Sequence, residues 1–165
     1  MKPDTATKKG VLTGIVMIIV SVLIYYTKGN FENKLQYITY SIYVAGVIWA
    51  LLAHSKDPAA KHTFGDYFSQ GFKCFIVITL LMVIFTAAFL LLQPQLKDEM
   101  ATIYKADLVK SGDYTMPEIE QKILSARKSF IPALVMGAVF GYLVIGAMVT
   151  AIGSGVLLQK RKLSS

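Results

Sequence analysis

The sequence predicts an all-α membrane protein: four transmembrane helices, with an extramembrane helical hairpin between the third and the fourth. Three observations carry this. Four apolar runs each approach or exceed the length that crosses a bilayer, for which about 18 consecutive apolar residues are the usual signal. Only 16% of the 165 residues are charged and 55% are hydrophobic, whereas soluble chains run near about 25% charged. The only sizeable polar stretch, residues 95–129, falls between the third and fourth runs and carries helical patterning. Together these give a single integral membrane domain over residues 1–165, with spans at about 10–27, 36–53, 73–92 and 131–158.

The first run, Gly10 to Tyr26, follows a short polar tail that holds Lys2, Lys8 and Lys9. A basic start before an apolar run also describes a secretory signal peptide. No small-residue cleavage site follows, however, and the run ends in Tyr25 and Tyr26, so a retained helix is expected. At roughly 17 residues and ~25 Å it is slightly short of the ~30 Å hydrocarbon core. Snorkelling by Lys9 and Lys28 covers that deficit. Gly10 and Gly14 form a GxxxG pair at its start, a hint of close helix contact.

Thr27 to Gln36 reads as a polar turn with Gly29 and Asn30 as breakers. The second run, Tyr37 to Ala53, opens with Tyr37, Tyr40 and Tyr43 and carries Trp49 near its other end, as an interfacial aromatic belt requires. Those tyrosines either pack or line a pore. Pro58 then stops the helix, and Thr63 with Asp66 resembles a capping box. Phe64, Phe68, Phe72 and Phe75 recur at helical spacing with Tyr67 beside them. This fits either a short helix lying on the membrane or an ordinary helix extending past the headgroups.

The third run, Cys74 to Leu92, is apolar apart from Thr79 and Thr86. Cys74 is the one cysteine, which leaves no internal disulfide or thiolate zinc site, and its apolar neighbours mark it as a packing residue. Beyond Gln93 and Pro94, the stripe Leu96, Met100, Ile103 and Leu108 predicts a helix, and Ser111, Gly112 and Asp113 a turn. Thr115 with Pro117 and Glu118 makes a second capping box, and Ile119, Ile123, Ala126 and Phe130 continue as an apolar face. Charges of both signs alternate through this hairpin, which marks a solvated surface or a docking surface for a second protein.

The last run, Phe130 to Leu158, is glycine-rich, has no Asp, Glu, Lys, Arg or His, and is followed at once by Lys160, Arg161 and Lys162. Residues 133–158 would extend roughly 39 Å, beyond the ~30 Å core, so the helix should tilt or rise toward the hairpin. At 100° per residue, Gly137, Gly141, Val144, Met148, Ala151 and Gly155 share one face, with Gly146, Thr150 and Gly153 nearly opposite. Small residues let helices approach, so one face is expected to serve the protein's own packing and the other a second copy or partner. Replacing Gly146 or Gly153 with leucine is expected to weaken an oligomer and spare the monomer. The residues expected at the membrane interface are Tyr25, Tyr26, Trp49, Phe64, Tyr67, Phe68, Lys160, Arg161 and Lys162.

The net charge of +7 lies in short flanks and not in a stripe on a folded domain, which points to anionic lipid headgroups and away from nucleic acid. Nine Lys or Arg near span ends on the side of the two termini face five on the other side. The positive-inside rule then places both termini in the cytoplasm. His54, His62, Asp57 and Asp66 are metal-capable residue types, but their spacing matches no ligand motif, and no cofactor is implied. No span carries an Asp, Glu, Lys, Arg or His in its middle, where coupled transporters place one. Nucleophile and phosphate-loop motifs are also missing.

The basic-flanked first span, the stretch TFGDYFSQGFK (63–73), the helix YTMPEIEQKILSARKSF (114–130) and the glycine-rich last span ending in QKRK together resemble one family. It is the bacterial family of uncharacterised four-helix membrane proteins known as domain of unknown function 4199. The resemblance implies an integral membrane protein of four spans with a helical extramembrane insertion before the last. A bacterial inner membrane is the expected location. It implies no activity and no site residues. The expected function is therefore a non-enzymatic structural or accessory membrane component that packs with itself or with other membrane proteins. The alternative is a small-solute channel or transporter subunit, suggested by the tyrosines and threonines within the spans.

Overall fold

The computed structural model describes residues 5–28, 33–58 and 60–164. Lys2 and the Gly29 and Asn30 breakers lie outside the described residues. Among the described residues five helices follow in order: α1 (Thr5–Lys28), α2 (Asn33–Ser55), α3 (Phe64–Leu92), α4 (Gln95–Ser111) and α5 (Met116–Ser164). Four of them, α1, α2, α3 and α5, contain a stretch long and apolar enough to cross a membrane.

The helices are longer than the apolar runs. α3 begins at Phe64 and continues without a break into the third span, so the aromatic stretch belongs to an ordinary helix extension and not to a separate helix on the membrane surface. The cause is local: Thr63 Oγ1 accepts from the Asp66 amide at 3.3 Å, which starts the helix ten residues before the apolar run at Cys74. The second half of the hairpin and the last span are likewise one helix, 49 residues long, with Pro132 inside it.

The chain divides into two compact units. Val83–Ala138 forms one, and the described residues through Met82 with those from Val139 form the other. Both α3 and α5 contribute to each.

In the first unit, the close approaches are made at glycines. A Cβ on Gly46 of α2 would run into the Thr13 side chain of α1, and one on Gly10 of α1 would lie 2.8 Å from the Cys74 carbonyl oxygen of α3. Gly14 meets Leu81 further along the same pair of helices, so α1 and α3 run parallel. Gly146 of α5 faces Tyr43 of α2 and Phe75 of α3, Gly153 faces Leu51 of α2, and Gly71 of α3 faces Thr150 of α5. By these pairs α5 runs parallel to α2 and antiparallel to α3. In lipid no water-driven force brings apolar helices together, so such backbone approaches supply much of the attraction. Met17, Tyr43, Val47, Leu51, Tyr67, Cys74, Phe75 and Ile78 fill the centre.

Cys74 is fully buried, with its thiol 3.8 Å from the Gly46 carbonyl oxygen. It is expected to resist a bulky maleimide in the folded protein and to react stoichiometrically once denatured. Labelling of folded protein at the rate of an exposed thiol would contradict that placement.

In the second unit, Leu96, Ala101 and Leu108 of α4 are buried, as is Ile119 of α5. Ile103, expected on the apolar stripe, is exposed although it lies within about 20° of Leu96 round the helix: α4 buries the Leu96 side at its start and the side of Ala101 and Leu108 beyond it. Gly112 closes α4 with φ of 70°, the left-handed cap for which glycine has no steric penalty. At the start of α5, Glu118 Oε2 accepts from the Thr115 amide and from its hydroxyl, each at 2.8 Å, so the box is closed by the glutamate. Arg127 and Asp98 pair at 3.0 Å across α4 and α5.

Candidate functional site: the polar end of the first unit

The start of α1, the end of α2 and the start of α3 meet at one end of the first unit. The polar side chains that sequence spacing leaves unconnected converge there. His54, in the last turn of α2, donates from Nε2 to Asp66 Oδ2 at 2.8 Å, twelve residues on. The same carboxylate oxygen accepts from the His62 amide at 3.3 Å. His62 takes φ of 53°, uncommon for a residue with a Cβ. Its Nδ1 shares a hydrogen bond with the buried Tyr67 hydroxyl at 2.9 Å. Asp66 thus ties the end of α2, the connecting loop and the first turn of α3 to one side chain.

Beside this network lies a cavity of about 110 Å³, lined by Thr5, Ala6, Ala50, Ala53, His54, Asp57 and Gln70. Three of its walls are alanines, whose short side chains leave room between the helix ends. Its volume equals a few water molecules at roughly 30 Å³ each. Among the described residues, no three His, Cys, Asp or Glu side chains come together in a metal-holding group. His54 and Asp66 are joined instead as a carboxylate-held imidazole, an arrangement that fixes the ring.

The tyrosines of α2 do not form one lining. Tyr43 is completely buried and its hydroxyl donates to the Tyr142 carbonyl of α5 at 2.7 Å. Tyr40 and Tyr43 pack their rings on Tyr142, at 5.5 and 5.2 Å between centroids, while Tyr37 is exposed. Tyr142 was not singled out by its spacing; a tyrosine between Gly141 and Gly146 is the signal that would have found it.

Among the interface residues, Tyr25 and Tyr26 meet edge to face near the end of α1, and Phe64 stacks on Phe68. Tyr26, Trp49, Phe64, Lys160, Arg161 and Lys162 are exposed, whereas Tyr67 is buried behind His62. The two faces of α5 are sorted clearly. Gly146, Thr150 and Gly153 point into the first unit. Val144 and Met148 are exposed, Ala151 is half-buried, and a would-be Cβ on Gly137 or Gly155 has nothing within 4 Å beyond its chain neighbours and its own helix backbone. Gly141 only approaches the Tyr40 hydroxyl, at 3.5 Å. The expectation that Gly146 and Gly153 face a partner is therefore corrected: they are filled by Tyr43, Phe75 and Leu51.

An all-helical chain with four span-length apolar helices, an apolar exterior and polar networks at helix ends is a membrane protein. Residues 8–159 match the family described as protein of unknown function (DUF4199), and the chain belongs to that family. No curated protein and no solved structure matches it.

Proposed function

We propose that this protein is a non-enzymatic membrane component that assembles with a second copy, or with another membrane protein, through the outer face of α5. One observation carries the reading: Val144 and Met148 are exposed on the same side as Gly155, whose would-be Cβ meets nothing within 4 Å. A glycine that no neighbour fills leaves a notch where another backbone can approach, and in lipid such packing drives association. Placement in a bacterial inner membrane with both termini cytoplasmic is part of the proposal. Its support is the gathering of Lys8, Lys9, Lys56, Lys61, Lys160 and Arg161 at the helix ends on the side of the termini.

Cysteine crosslinking in native membranes tests this, since the one native thiol is buried. The Met148→Cys variant is expected to give a covalent dimer, or a discrete adduct with a partner, that Gly155→Leu abolishes. Leu80→Cys, on an equally exposed apolar face of α3, is the control. No more crosslinking from Met148→Cys than from Leu80→Cys would refute the assignment.

A further inference from the structure

On the outer surface of α1 and α2 a cation and an aromatic ring are held together at a fixed height. Lys9 Nζ sits 4.8 Å from the centre of the Trp49 ring. Thr13 seated on Gly46 brings the two backbones close just below this pair, which fixes the register of Lys9 against Trp49. Trp49 is 46% exposed, so the ring faces the surroundings as well as the ammonium.

Deeper along the same surface come Leu12 and Val16 of α1, both exposed, and Ala45 of α2, one turn below Trp49. At the end of the helices, Lys8 and Lys56 are exposed. Of the carboxylates at that end among the described residues, Asp66 is bonded to His54, and Asp57 lines the cavity beside it. From the helix ends inward, the order is therefore lysines, an ammonium on an indole, and then an apolar strip made shallow by an alanine.

That order matches a phospholipid read from headgroup to acyl chain. We infer that the α1–α2 surface is a seat for an anionic phospholipid: Lys8, Lys9 and Lys56 receive the phosphodiester, Trp49 lies at the glycerol level, and an acyl chain follows Leu12, Ala45 and Val16. A tryptophan suits this depth because its ring is apolar and its N–H still seeks a polar partner. Headgroup charge decides the choice. A zwitterionic lipid brings its own cation among the lysines, whereas phosphatidylglycerol brings only the anion.

Trp49 is the one tryptophan in the chain, so its fluorescence reports this seat alone. The full chain would be placed in phosphatidylcholine bilayers containing brominated phosphatidylglycerol or, separately, brominated phosphatidylcholine at the same fraction. Brominated phosphatidylglycerol is expected to quench Trp49 more strongly, with a preference that drops about fivefold for each of Lys9→Gln and Lys56→Gln at low salt. Lys56→Gln leaves the indole contact intact, so it separates loss of charge from displacement of the ring. Equal quenching by the two lipids overturns the proposal, as does a preference that survives both variants. So does loss of the preference in inorganic phosphate relative to chloride at the same ionic strength, because the surface would then be holding a free ion.

Discussion

Replacing Gly146 with alanine is expected to destabilise the folded chain by about 3 kcal/mol, combining an overpacked core with a disturbed buried hydrogen bond. A Cβ there would run into the Tyr43 hydroxyl and lie 2.7 Å from Phe75 Cγ. Tyr43 cannot retreat without giving up its bond to the Tyr142 carbonyl. Tyr43→Phe alone should cost about 1 kcal/mol. Because it also removes the atom in the way, the double variant should be less damaged than the two losses added together. Unfolding of the detergent-solubilised protein in graded denaturing surfactant measures all three. Wild-type stability in Gly146→Ala would show that the notch is not closed.

Asp66→Ala should be the most damaging change at the polar end, at about 2 kcal/mol. It removes the partner of His54, the acceptor of the His62 amide and a favourable charge in the first turn of α3. Asp66→Asn keeps an acceptor oxygen and should cost less. A double-mutant cycle with His54→Ala isolates the contact between α2 and α3, with a coupling of about 1 kcal/mol expected. Coupling near zero would mean the two side chains act independently.

The membrane-spanning elements were legible because lipid admits few alternatives. Runs such as Cys74–Leu92 and Ala133–Leu158 have nowhere else to go. Helix starts were less legible. The Thr63 and Asp66 box marked a helix from Phe64, but spacing alone left open whether it was separate or continuous with the third span; α3 runs through without a break. Periodicity found both small-residue faces of α5 but did not say which one the protein keeps for itself. A glycine records that something comes close, not what does, and Tyr43 lies about a hundred residues away in sequence. The pairing of His54 with Asp66 was hidden for a related reason: it crosses a loop, and no helical or motif spacing relates residues twelve apart.

The bond between Tyr43 and Tyr142 joins residues 99 positions apart, and the donor is made first. While the ribosome adds the intervening helices, that phenol waits without the carbonyl it will finally hold. The arrival of the last helix supplies the acceptor and, through Gly146, the space for the ring. The acceptor that Tyr43 finally holds, and the glycine that makes room for its ring, thus both belong to the last helix to be made.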